Sequence, residues 1–146
     1  MGATARDRVT ARLAQLRGAY DGFDVRQTTV SVDPDEFERA RASATGATLA
    51  ELTVENAADE RLLVREDGEW VRPSVAVGAG QPMAETVTRE AERRTGVRPS
   101  IIGLDRAAIV CVDCAATDAS AYQLQLQFSA VPEAGTVTPP AAWRAK

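Results

Sequence analysis

Glu90, Arg93 and Arg94 stand at i, i+3 and i+4 in a stretch patterned as a helix, so their side chains share one face. One carboxylate beside two guanidiniums can do two things. It can close ion pairs along the helix, each worth about 0.2–0.5 kcal/mol if exposed. Alternatively, the guanidiniums can take a phosphate, because their planar forks match its oxygens two at a time. The ion-pair reading is favoured, since exposed Arg residues on helices are common. A divalent cation is poorly served by such a trio, because each Arg repels it and offers no oxygen.

The remaining side chains narrow the chemistry. The chain has no His, and its only Lys is Lys146. Ser-His-Asp and Cys-His catalysis and His-containing metal sites are therefore excluded. Ser74 and Thr88 have no base partner in the pattern and are not read as nucleophiles. Cys111 and Cys114 form a C-x-x-C at the end of an apolar strand, with no second Cys pair. A closed zinc site would lack two ligands there, and a structural role is expected over redox sensing. Carboxylates are left as the route to any metal chemistry.

The elements that must position these groups fit one domain-sized chain of 146 residues, 45% hydrophobic and 26% charged. Its net charge of −4 argues against general nucleic-acid binding. No apolar run approaches the ~20 residues of a membrane helix. Met1 to Gly18 lacks the continuous apolar core of a signal peptide, so a soluble, cytoplasmic protein without membrane partners is expected. Acids are concentrated between residues 21 and 85, and the last third has lost that surplus.

A capping-box pattern from Thr4 to Asp7 and a stripe of Val9, Leu13, Leu16 and Tyr20 predict a first helix, ended by Gly18 and Gly22. Val25 to Val32 reads as a strand. Asp33-Pro34-Asp35-Glu36 predicts a second helix, reaching about Ala44 and stopped by Gly46. Residues 1–46 are expected to be an N-terminal helix–strand–helix extension packed on a main domain, 47–146.

In that domain Thr48 to Glu55 alternates, and with Arg61 to Arg65 it predicts a hairpin through a turn at Asn56 to Glu60. Asp67-Gly68 is a turn before Glu69-Trp70-Val71. Gly78 and Gly80 make a loop into Pro82, which opens a helix over 82–95 with Met83, Val87 and Ala91 buried and Gly96 as its stop. Ile101 to Val112 is a buried strand. Tyr122 to Ala130 alternates, with Gln123, Gln125 and Gln127 on the more open face. Pro132 to Pro140 is expected to be loop.

Trp70-Val71-Arg72-Pro73, Val77-Gly78-Ala79-Gly80-Gln81 and Arg89 to Val97 together resemble the Nudix hydrolase family, whose box reads G-x5-E-x7-R-E-U-x-E-E-x-G-U with U bulky and apolar. Arg89, Glu90, Gly96 and Val97 fit at the correct spacing, and Ala91 fits loosely. The resemblance covers over half the chain and implies an α/β fold, a Nudix-type α/β/α sandwich with a mixed sheet. In the family the helix carboxylates hold magnesium or manganese, which polarises a diphosphate. Here Val75 stands for the first Gly, Gln81 for the first Glu, and Arg93-Arg94 for the Glu-Glu pair. Each Arg for Glu is two charge units and Gln81 one, so a complete box would carry −9 in place of −4.

The expectation is therefore a degenerate box without efficient metal-dependent hydrolysis. It would act as a nucleotide- or phosphate-binding or regulatory module through Arg89, Arg93, Arg94, Gly80 and Gln81. Glu90 is the residual catalytic and metal-binding candidate, with magnesium or manganese only if the family activity is retained. Two alternatives stay open. One is an active hydrolase of a nucleoside diphosphate linked to another group, using relocated carboxylates such as Glu85, Asp105 or Glu133. The other is a protein-interaction module built on the N-terminal extension. The pairing common in that family leaves a homodimer open.

Overall fold

The computed structural model describes residues 5–44, 47–78 and 80–146. The first helix, α1 (Ala5–Ala19), and the strand β1 (Asp24–Val32) follow the sequence pattern. Thr4 and Gly46, the predicted cap and stop, lie outside the described residues. Helix α2 (Pro34–Ala44) starts as expected: the Asp33 carboxylate accepts the Glu36 N–H at 2.8 Å and meets one of the donors a helix start leaves open.

A mixed five-stranded sheet is the centre of the fold. Its order is β1, β6 (Val97–Cys114), β7 (Ser120–Gly135), β2 (Ala47–Val54) and β5 (Ser74–Gly78). β1 runs parallel to β6 and β2 parallel to β7, while β6–β7 and β2–β5 are antiparallel. A smaller antiparallel sheet has the order β4 (Glu69–Val71), β3 (Glu60–Glu66) and β8 (Ala141–Ala145).

The core lies on one face of the large sheet. Leu124, Leu126 and Phe128 of β7 meet Ala50, Leu52 and Val54 of β2, and Leu62 and Val64 close it from the small sheet. Val9, Leu13 and Leu16 of α1 join the same cluster, as do Met83, Val87 and Ala91 of helix α3 (Met83–Thr95). The Tyr20 ring meets Phe128 edge-on at 5.6 Å between centroids. On the opposite face, Phe37 of α2 packs on Cys114 and Ala121. Helices thus cover both faces, in the α/β/α order. Among the described residues, no helix is long and apolar enough to cross a membrane.

Two strand expectations are corrected. β2 and β3 do not form a hairpin. Both edges of β2 are taken, by β7 and β5, so β3 leaves for the small sheet with only the bridge Glu55–Arg61 behind it. The turn is sharp because the Asn56 side-chain oxygen accepts the Ala58 and Glu60 N–H groups at 3.0 and 2.9 Å. Residues 132–140 are not all loop: β7 continues to Gly135 opposite Val97, and β8 follows. β6 carries register shifts at Arg98/Pro99, Ile101/Gly103 and Leu104/Arg106, which let an 18-residue strand bend and accommodate a Pro without an N–H.

Candidate functional site

Helix α3 sets the site. Its buried stripe of Met83, Thr86, Val87, Ala91 and Thr95 fixes the rotation of the helix, and the αL residue Gly96 ends it at φ 82° with its N–H on the Glu92 carbonyl. That rotation brings Glu90, Arg93 and Arg94 to a groove of about 280 Å³, closed by Ser74, Val75 and Ala76 of β5 and by Gln81 and Thr86. The expected sharing of one face is observed. Arg93 and Arg94 also lie in the last turn, where the helix dipole favours cations.

The Glu90 Oε2, the Ser74 carbonyl and the Gln81 side-chain oxygen each already have a donor. The Glu90 Oε2 accepts Arg93 Nε at 3.0 Å and Nη2 at 2.7 Å, and Arg89 Nε stands 3.7 Å from Oε1. The hydrogen bond from Arg93, aided by the nearby charges of Arg93 and Arg89, holds the Glu90 carboxyl below its ordinary range despite some desolvation. Arg94 Nη1 donates to the Ser74 carbonyl, and its Nη2 bonds Glu66 Oε1 at 2.6 Å. The Gln81 side-chain oxygen accepts the Gly78 N–H at 2.8 Å. The hydroxyl of Thr86 is buried and has no partner.

Helix α1 reaches the same loop. Arg12 Nη2 donates to the carbonyls of Gly78 and Gln81 at 3.0 and 3.2 Å, and burial pushes the Arg12 guanidinium below its usual pKa. Sequence reasoning missed Arg12, Glu66 and the Ser74 carbonyl. No local spacing signals them, since Arg12 lies 66 residues from Gly78 and Arg94 lies 28 from Glu66.

Other candidates are placed elsewhere. Arg89 lines a different groove on the outer side of α3, with Glu85, Thr88, Glu92 and Arg98. Gly80 is exposed and does not line the Glu90 groove. Asp105 accepts the Ser129 hydroxyl, and Glu133 pairs with Arg98 at 3.6 Å. Neither joins Glu90. Cys111 pairs in register with Tyr122, whereas Cys114 packs on Phe37 across the sheet, and both are free thiols. Three residues along a strand span ~10 Å and end on opposite faces, too far for a disulfide.

A divalent ion, which the resemblance of residues 70–97 implies, asks for several free carboxylate or carbonyl oxygens. The residues present do not fit it: one carboxylate is forked by Arg93, the carbonyl is held by Arg94, and the amide oxygen is held by Gly78. Among the described residues, no three acidic or Cys side chains gather to hold a metal.

No family model and no curated protein matches the chain. Solved structures do. The chain is similar to the MutT protein of Bacillus halodurans at 20% identity and a TM-score of 0.52, over 68% of each chain. It is similar to a UDP-X diphosphatase at 16% identity and a TM-score of 0.50, over 99% of this chain and 73% of that one. These are Nudix hydrolase structures, and what this chain shares with them is the fold. The second alignment runs through α1, β1 and α2 as well.

Proposed function

We propose that this protein is a Nudix-type domain that binds a nucleotide or another phosphorylated small molecule without efficient metal-dependent hydrolysis. One observation carries the reading: the oxygens beside Glu90 are met by Arg93, Arg94 and the Gly78 N–H, leaving guanidinium edges where the family places carboxylates. Arg93 is open to solvent on one side and keeps donors for a phosphate oxygen beyond those given to Glu90. Gln81, held on Gly78, and Thr86 also line the groove. Water attack on a diphosphate would need a cation to neutralise the developing charge. Here fixed guanidiniums take that place, and they offer binding without an activated water.

The likeness to a UDP-X diphosphatase makes a UDP-linked diphosphate a reasonable first ligand. The test is calorimetry with a UDP-sugar, with and without magnesium, beside a hydrolysis assay. Binding independent of magnesium and weakened by Arg93→Gln is expected. Robust magnesium-dependent turnover, lost in Glu90→Gln, would overturn the reading and favour the active hydrolase. The triple variant Gln81→Glu/Arg93→Glu/Arg94→Glu is expected to take up magnesium that the parent does not. Failure of that uptake in a folded variant counts against the family assignment.

A further inference from the structure

The small sheet turns a cationic face outward, away from the core. Arg61, Leu63 and Arg65 alternate with the buried Leu62 and Val64 along β3, so they share the outer face. Cross-strand register sets Arg144 opposite Arg61 and Trp70 opposite Arg65. Arg72 follows β4, and Lys146 follows β8. The result is a concentration of positive charge in a chain whose net charge is −4.

A groove of about 480 Å³ runs across this face. Arg61, Arg72, Lys146 and Glu51 line it together with Leu63 and Trp70. Its volume is in the range of small-ligand sites, ~300–1,000 Å³. It shares no lining residue with the groove beside Glu90.

The donors in this groove are not all used. Arg61 gives one Nη to Glu55 at 3.3 Å, and Arg72 gives one Nη to Glu51 at 3.1 Å. Both Nε–H groups are buried and have no acceptor. A buried donor without a partner is costly, and each guanidinium also keeps an Nη beyond the one given to Glu55 or Glu51, which can meet acceptor oxygens in the groove. Lys146 is committed to Glu55 and Asp59 at 2.5 and 2.7 Å, which leaves the two guanidiniums as the open groups. Trp70 is already stacked by Arg144 at 4.6 Å, so its ring is not offered to a nucleobase. What the groove asks for is an anion with several oxygens in a plane or fork, which a phosphate group supplies.

We infer that the groove on the small sheet is a second anion site that takes the phosphate groups of a diphosphate. It holds them between the guanidiniums of Arg61 and Arg72, with Glu51 and Glu55 yielding part of their contacts. The diphosphate can be inorganic or part of a nucleoside diphosphate, because the recognised chemistry is common to both.

The test uses the full chain in solution, with Arg side-chain Nε–H resonances followed during titration with inorganic diphosphate, with UDP and with uridine. Shifts at Arg61 and Arg72 with diphosphate and UDP, and none with uridine, are expected. Equal shifts with the first two place recognition in the phosphates; a shift with UDP alone, or with uridine, overturns the anion assignment. Arg61→Gln/Arg72→Gln is expected to weaken diphosphate binding by about tenfold or more. If that variant unfolds, Arg61→Lys/Arg72→Lys keeps the charge and removes the fork, and a several-fold loss is still expected. Unmoved Nε–H resonances at millimolar diphosphate overturn the proposal. Binding lost in Arg93→Gln but retained in Arg61→Gln/Arg72→Gln overturns it too, by moving the anion to the groove beside Glu90.

Discussion

Beside α3, Arg93 gives two N–H groups to one Glu90 oxygen, and Arg94 divides its own between Glu66 and the Ser74 carbonyl. On the small sheet, Arg61 and Arg72 each give a single Nη to a carboxylate and keep a buried Nε–H unmet. Both grooves are walled by arginine, yet their needs differ. In the first, the arginines satisfy the oxygens of the protein itself and tie β5 to the helix. In the second, the geometry of the strands holds the arginines apart from enough acceptors. The number of guanidiniums therefore says less about a site than what their neighbours leave unfilled.

The frame of the first groove can be broken at Gly96. Its φ of 82° lies in the left-handed region, and a Cβ there would meet the Thr136 backbone carbonyl and the Thr138 side chain. Backbone cannot yield as a flexible side chain can. Gly96→Ala is expected to cost about 3 kcal/mol or more, combining the αL penalty with the clash. A fall in Tm of roughly 6–12 °C by calorimetry would follow for a chain of this size. A Tm within about 2 °C of the parent would show that the end of α3 can re-form, and that the helix does not depend on this stop.

The two sets of arginines should separate next. Arg94→Ala leaves the Ser74 carbonyl and Glu66 without their shared donor, for an expected loss of about 1–3 kcal/mol in urea unfolding. Arg61→Ala removes an unmet donor and leaves Glu55 with Lys146 as its partner, so the loss should stay within about 1 kcal/mol. Equal losses would erase the distinction between a guanidinium that ties the fold and one that waits for an acceptor.

What the sequence made legible follows from range. The i, i+3, i+4 spacing of Glu90, Arg93 and Arg94 is local, and α3 places all three on one groove. The caps at Asp33 and Gly96 are local too, and both are observed. The pairing of β2 with β7 is not local, because it depends on which edges of β2 remain open after distant strands arrive. The same limit hid β8: Ala141-Ala142-Trp143 alternates too briefly to be read alone and becomes a strand by pairing with Leu62–Val64. The contacts of Arg12 with Gly78 and Gln81 were hidden for this reason as well. The extension expected at 1–46 lends α1 to the main core and Arg12 to the loop beside Glu90, facts that only the packing of Val9, Leu13 and Leu16 could supply.

The smallest expected effect concerns the pair at the rim. The Arg93 hydrogen bond lowers the pKa of Glu90, so the folded state holds its carboxylate charged to a lower pH than the unfolded chain does. A depressed carboxyl contributes stability above its unfolded pKa, about 4.3, and loses that contribution as pH falls through the lower folded value. Arg93→Gln removes the main cause of the depression. The parent should therefore be slightly more stable than the variant at neutral pH, and the difference should fade as pH falls through the folded value, below which both states are protonated. Because Arg93 is largely exposed, added salt should shrink the neutral-pH difference as well. Thermal unfolding of the two proteins across that pH range reads the effect directly. A difference that survives at low pH would mean that Arg93 acts through packing of its aliphatic stem, and the electrostatic half of the comparison between the two grooves would have to be withdrawn.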